Sequence, residues 1–298
     1  MIFKKYTVKV PATTANLGAG FDSLGLALSL YNKTTLTIEE STNVGFDKDN
    51  LIYTSFLHFF RLIRKPVPYI QLKQYDDIPQ SRGLGSSAAC IVTGLQLANL
   101  VSESGFTKSQ LLNIATTIEG HPDNVAPAIM GGLIANAVDS SKENAKVFYS
   151  KTNIPIKLAF AVFSPTFSLE THTSRGVLPN SYSRSDTIFN ISRASLFVSS
   201  MINGHFENLD IATQDCIHQP YRLDMIPGMS DIFKISKKNG SLATFLSGAG
   251  PSCLSILKVS EAIEFKKNVE KKLKEHEDWS LQILNADNKG VTHEIEVC

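Results

Sequence analysis

Four side chains able to move protons or bind cations crowd into EGHPDN at 119–124: Glu119, His121, Asp123 and Asn124. The set offers a carboxylate for a divalent cation such as Mg²⁺, a second carboxylate for a proton, and an amide to orient a hydroxyl. Phosphoryl transfer asks for little else, because it depends on positioning and charge neutralisation more than on covalent help from protein. Zinc suits the set less well, since one histidine and two carboxylates without a second His or Cys make a poor tetrahedral site. Pro122 and Pro127 interrupt helical hydrogen bonding, so the sequence predicts a loop here, and loops of such polar density often carry function.

A phosphate needs a cradle, and SRGLGSSAA at 81–89 has the composition of one. Its GLGSSA satisfies the GxGxxA of a dinucleotide-binding turn, which would place an acid about 20 residues on, at the end of a second strand. Glu103 has that spacing but closes a helix, and no Gly-Lys-Ser or Gly-Lys-Thr is present for a Walker loop. What survives is shared physics. Glycines let backbone approach an anion, and the free amides of a helix start point at it, with Ser86 and Ser87 adding hydroxyls. An ordinary capped helix behind a glycine turn fits the same letters.

Two further glycine-bearing segments leave equally plain alternatives. PATTANLGAGFDSLGLAL at 11–28 is too glycine-rich for a plain strand and sets Asn16 and Asp22 in apolar surroundings, where Asx beside glycine also simply forms turns. TFLSGAGPSCLSI at 244–256 puts Gly248, Ala249 and Gly250 between two strand-like runs, as a hairpin loop does.

The elements that must position these residues follow from periodicity. Tyr6 to Val10, Thr34 to Glu39 and Val67 to Gln74 read as strands, and Leu51 to Ile63, entered through Asp49 and Asn50, has helical spacing. Ala88 to Val101 is a helix, and Thr107 opens another with a capping box reaching Gln110. Strand-like runs at 131–138 and 156–163 precede a helical stretch broken by Pro179, Gly204, Pro220, Pro227 and Gly240. Strands return at 242–246, 253–257 and 291–297. Strands, then helices, then strands argue an α+β chain, with a boundary near Lys151 to Pro155.

Composition narrows the function classes. With 298 residues, 43% hydrophobic and 19% charged, the chain can bury a large core, which excludes a disordered segment. A formal charge of +1 gives no electrostatic reason for a nucleic-acid or membrane partner, and the lysines at 266–274 read as a solvated helix face. Cys90, Cys216, Cys253 and Cys298 form no CxxC pair, which fits a reducing cytoplasm. MIFKKYTVKV alternates like a strand and is no signal peptide. Nowhere do about 18 apolar residues run together, so a soluble protein is expected.

Taken in order, PATTANLGAGFDSLGLAL, IPQSRGLGSSAA, EGHPDNVAPAIMGG and the Gly248 turn resemble the motifs of the GHMP kinase superfamily, most closely those of its homoserine kinases, over residues 7–256. The resemblance implies a two-domain α+β fold. Residues 1–155 would be related to the second domain of ribosomal protein S5, and 156–298 would form a C-terminal α/β sandwich, with ATP between the halves. It implies transfer of phosphate from ATP to the hydroxyl of L-homoserine, giving O-phospho-L-homoserine on the way to threonine, and it is compatible with a homodimer. Another GHMP kinase, such as a mevalonate kinase, and a non-catalytic nucleotide-binding sensor are the alternatives.

Residue by residue, the resemblance assigns Pro79, Gln80, Ser81, Arg82, Gly83, Leu84, Gly85, Ser86, Ser87, Ala88 and Ala89 to the phosphate loop, with Gly248 and Gly250 beside it. Mg²⁺ would lie on Ser86 or Ser87 together with Glu119. Asn16 and Asp22 would take the amino end of homoserine, Arg175 and Arg222 its carboxylate, and Asn124 its hydroxyl, with His121 in the same pocket. Asp123 would be a base or a binder. Independently of the family, a zwitterion wants a carboxylate and a guanidinium at opposite ends. Arg82 stands where many of these kinases carry a small residue, so it either faces solvent or adds positive charge near the phosphates.

Overall fold

The computed structural model describes residues 4–139, 141 and 146–297; Cys298 lies outside them. In chain order its strands are β1 Lys4–Ala15, β2 Leu24–Glu39, β3 Tyr69–Asp76, β4 Leu133–Asp139, β5 Lys146–Thr152, β6 Leu158–Pro165, β7 Ala243–Leu246, β8 Cys253–Lys258, β9 Trp279–Leu284 and β10 Thr292–Val297. Its helices are α1 Leu51–Leu62, α2 Ser86–Val101, α3 Lys108–Glu119, α4 Pro122–Met130, α5 Thr171–Gly176, α6 Arg184–Asn203, α7 Leu209–Ala212, α8 Gln219–Arg222, α9 Met229–Lys238 and α10 Ala262–Leu273.

Two antiparallel sheets carry these helices. One runs β10-β1-β2-β4-β5, with β3 pairing the far half of the long β2; the other runs β7-β8-β6-β9. The strands of the second sheet all follow residue 156. The last strand, however, returns to the first sheet, where Lys4 pairs with Val297 and Lys9 with Thr292. Helices α2 and α4 pack on β1 and β2, while α9 and α10 cover the second sheet.

Alternation along β6 shows how the sheets share a core. Phe160 and Val162 enter the large cluster that also holds Val8, Leu26 and Phe56, whereas Ala159, Ala161 and Phe163 face Phe265 and Val269 of α10. Both faces are covered, which is why IKLAFAVF reads as a continuous apolar run. Likewise α2 is apolar almost all round because it is buried. Its Gly94 lies so close to α1 that a Cβ there would fall 2.2 Å from the Ile52 carbonyl. Asn50 caps α1 by accepting from the amides of Ile52 and Tyr53, and the Thr107–Gln110 capping box opens α3 as expected.

Two local expectations change. Residues 11–28 form a hairpin, with β1 continuing to Ala15 and β2 beginning at Leu24, so glycine is concentrated in the turn between them. Residues 122–130 are helix, not loop. Pro122 sits in the first turn, where a missing amide costs nothing. Pro127 leaves the Asp123 carbonyl without its helical donor, but Gly25 of β2 packs there, so tightly that a Cβ would fall 1.8 Å from that oxygen. His121, Asp123 and Asn124 are thus held on a helix start.

Candidate active site

Three glycine-bearing turns meet at one place. The Thr13 amide donates to the Leu84 carbonyl at 3.1 Å, the Gly248 amide to the Ala15 carbonyl at 3.1 Å, and the Ser252 amide to the Arg82 carbonyl at 3.3 Å. Ser247 Oγ donates to the Gly83 carbonyl at 2.6 Å, and Asn16 Nδ2 to the Gly248 carbonyl at 2.9 Å. Gly83 and Gly85 have φ of +71° and +69°. Side chains there would collide with Ser247 and Thr13, at 2.3 and 1.9 Å. Around this junction lies a cavity of about 420 Å³.

One end of the cavity suits a polyanion. Helix α2 starts at Gly85 with no side chain capping it, and Ser86 and Ser87 line the cavity, which leaves first-turn amides for a phosphate. Ser87 Oγ donates to Glu119 Oε2 at 2.9 Å. Burial holds the Glu119 carboxyl above its ordinary range, with Ser87 and His121 only partly opposing it. A carboxylate and a hydroxyl side by side, without a basic side chain in contact, match the oxygen ligands that Mg²⁺ prefers. Arg82 turns elsewhere: its guanidinium donates to the carbonyls of Gln80 (2.8 Å), Pro165 (3.0 Å) and Thr166. It ties the loop to the end of β6 and is neither a free surface cation nor aimed at the phosphate end.

Other residues of the same lining suit a small charged acceptor. His121 Nδ1 lies 2.5 Å from Asp123 Oδ1; burial alone would lower the imidazole, but the bond and charge of Asp123 outweigh it and raise it. Thr13 Oγ1 donates to Asn124 Oδ1 at 2.8 Å. Arg175 forks onto Asp22, at 3.1 and 2.5 Å. Ligand atoms of Asp22, His121 and Asp123 lie within 4.8 Å of one another. Arg175 and His121 already pair with those carboxylates, whereas Glu119 pairs with the Ser87 hydroxyl.

Arg222 is 1% exposed, yet among the described residues it makes no ion pair with a carboxylate. It donates to the carbonyls of Ser174 (3.1 Å) and Gly248 (3.2 Å) and to His218 Nδ1 at 3.0 Å. Burial, and then Arg175, push its guanidinium down to about 10. Because His218 accepts from Arg222, it is the neutral tautomer that donates from Nε2 to the Gly18 carbonyl at 2.8 Å; burial accordingly lowers its pKa. The Asp215 carboxylate anchors this turn by accepting from the amides of Ile217, His218 and Gln219. Phe21 stacks on His218 and lies under both guanidinium groups, at 5.4 and 5.6 Å.

Of the expected site residues, the cavity is lined by Asn16, Gln80 to Gly83, Gly85 to Ser87, Glu119, His121, Asp123, Asn124, Arg175, Arg222 and Gly248. Asp22 reaches it through Arg175. Leu84, Ala88 and Ala89 are core residues, Pro79 lines a neighbouring cleft, and Gly250 shapes the turn at φ +87°. The sequence reading missed Thr13, Phe21, Cys90 and His218. The one usable signal was the spacing of His218 and Arg222, four apart and hence on one side of a helical turn.

With this geometry in place, similarity to known proteins is informative. Residues 50–132 match the GHMP kinases N terminal domain and residues 197–275 the GHMP kinases C terminal domain. The chain is 42% identical to the homoserine kinase of Clostridium acetobutylicum, covering 95% of this chain and 98% of that one. It is 39% identical to that of Caldicellulosiruptor bescii, covering 96% of each. A crystal structure of homoserine kinase from Cytophaga hutchinsonii superposes with a TM-score of 0.86 at 24% identity, over 97% of both chains, which supports the fold. The chain belongs to the GHMP kinase family, and within it to the homoserine kinases.

Proposed function

We propose that this protein transfers the terminal phosphoryl group of ATP to the hydroxyl of L-homoserine. The observation that carries the reading is the unbalanced Arg222, a buried guanidinium lining the same cavity as the start of α2, which no side chain caps. A carboxylate-bearing acceptor satisfies the first and a triphosphate the second. The new bond joins the acceptor oxygen to phosphorus, and the bond from phosphorus to the bridging oxygen breaks. The hydroxyl proton leaves to the transferred phosphate or to Asp123.

In this reading Arg222 and Arg175 hold the carboxylate, Asn16 and Asp22 the amino group, and Asn124 the hydroxyl, with His121 beside it. Glu119 and Ser87, with Ser86 adjacent, would hold Mg²⁺, whose chemistry is neutralisation of phosphate charge. The protein's own contribution is position: the loop holds the donor and the arginines the acceptor, so that attack is nearly intramolecular. Such a small-molecule enzyme needs no nucleic-acid or membrane partner, and no described helix is long and apolar enough to cross a membrane. We place it in the cytoplasm on the route to threonine, as a homodimer whose mass sedimentation would read. We also set the start of the second domain at residue 156, with β10 returned to the first.

ADP release with MgATP across homoserine, mevalonate and sugars tests the function. Turnover with homoserine far above the others is expected, with the phosphomonoester seen by phosphorus NMR. Preference for another acceptor overturns the substrate, and no turnover with any would leave a nucleotide-binding sensor.

A further inference from the structure

We propose that Thr13 is a positioning residue for phosphoryl transfer: its hydroxyl holds Asn124 with the amide nitrogen toward the acceptor oxygen and ties that amide to the phosphate loop. The inference rests on the homoserine kinase reading and deepens it. Thr13 lies on β1 with 0% exposure. Its hydroxyl donates to Asn124 Oδ1 at 2.8 Å, and its amide donates to the Leu84 carbonyl at 3.1 Å. A Cβ on Gly85 would fall 1.9 Å from its Oγ1. One small side chain therefore touches both the loop assigned to the donor and the amide assigned to the acceptor.

The chemistry of the partners gives these contacts a direction. An asparagine amide has one donating and one accepting side. Asn124 Nδ2 is 3.4 Å from Asp123 Oδ1; a carboxylate can only accept, so that side carries the NH₂. Oδ1 then faces Thr13, whose hydroxyl must be the donor. The second N–H of Nδ2 remains for the cavity that Asn124 lines. Donated to the acceptor hydroxyl, it fixes that oxygen while leaving a lone pair for attack. It also means that Asn124 Oδ1, already engaged, does not take the acceptor proton. Without the Thr13 hydroxyl, Oδ1 loses this donor and the amide is free to turn, presenting oxygen to the attacking oxygen.

Steady-state kinetics with MgATP and L-homoserine test this. Thr13→Val keeps the shape and Thr13→Ala removes bulk, both without the hydroxyl; Thr13→Ser keeps it. Thermal melting confirms that each variant folds, and the alanine variant guards against overpacking by valine. We expect kcat to fall roughly 10- to 100-fold in the valine and alanine variants and to return within about 3-fold in the serine variant, with the KM for ATP little changed. Adding Thr13→Val to Asn124→Ala should slow the enzyme no further, because Thr13 acts through that amide. Wild-type kcat without the hydroxyl, a serine variant as slow as alanine, an effect undiminished in the Asn124→Ala background, or a change confined to the KM for ATP would each overturn the proposal. A wild-type protein that fails to phosphorylate homoserine instead refutes the functional reading, and the same assay reveals this before any variant is made.

Discussion

Arg222→Met removes a charge that the fold holds in an unfavourable place. The guanidinium is pushed down to about 10, well below the ordinary arginine range, and at roughly 1.36 kcal/mol per pKa unit its surroundings disfavour the cation by about 3 kcal/mol. A ligand carboxylate offsets a penalty of that order, and about 3 kcal/mol is roughly 100-fold in affinity. The KM for L-homoserine should therefore rise about 100-fold in Arg222→Met, with the KM for ATP within about 3-fold. Arg222→Lys restores a point charge without the fork and should recover part of the loss. Stability should move little. Losing the disfavoured charge gains about 3 kcal/mol, while the Ser174 carbonyl and His218 Nδ1 lose donors at about 1–1.5 kcal/mol each; the Gly248 carbonyl keeps Asn16. Rates of ADP release with homoserine varied at saturating MgATP, alongside thermal melts, read both effects. An unchanged KM for homoserine refutes the carboxylate assignment, and a melting point lowered by more than about 10 °C refutes the energetic argument.

Gly85→Ala places a Cβ 1.9 Å from Thr13 Oγ1 at φ +69°, so it should cost about 2–4 kcal/mol in urea melts and raise the KM for ATP at least about 10-fold; wild-type values in both would remove the loop from the argument. Glu119→Gln should raise the Mg²⁺ concentration for half-maximal rate about 10-fold without changing the KM for homoserine, and an unshifted metal titration excludes Glu119 as a ligand. His218, held neutral by burial, has a folded pKa below its unfolded value of about 6.5, so its contribution is present above that pH and is lost as pH falls. Melting points should drop between about pH 6.5 and 5, less steeply in His218→Gln; parallel curves would contradict the neutral tautomer.

Local features were legible because their causes are local. The Asn50 cap, the Thr107–Gln110 box and the apolar run of β6 each follow from a few neighbouring residues. Pro127 misled for the complementary reason: the carbonyl that it leaves free lies against Gly25, about a hundred positions earlier, where only a residue without a side chain fits, and that contact is invisible to local reading. The placement of β10 beside β1 is equally remote, since alternation marks a strand but does not name its partner. At Arg82, residue type left two readings, a solvent-facing side chain or positive charge near a phosphate loop. The fold uses three of its nitrogens to hold the nearby Gln80 carbonyl and the carbonyls of Pro165 and Thr166 in one distant segment.

The Asp22–Arg175 pair shows what chemistry alone could not foresee. A zwitterion requires an acid and a guanidinium, and the expectation of opposite ends treats them as separate sites. In the structure they bind each other directly. Burial alone would lower Arg175, but Asp22 outweighs it and keeps the guanidinium above its ordinary range. An amino acid inserted between them would exchange one ion pair for two, ammonium on Asp22 and carboxylate on Arg175, without changing the net charge of the site. The pair thus keeps both groups balanced without substrate. Among the described residues Arg222 makes no such ion pair with a carboxylate, and for that reason it, not the more visible Arg175, is the residue with a charge left for the proposed anionic ligand.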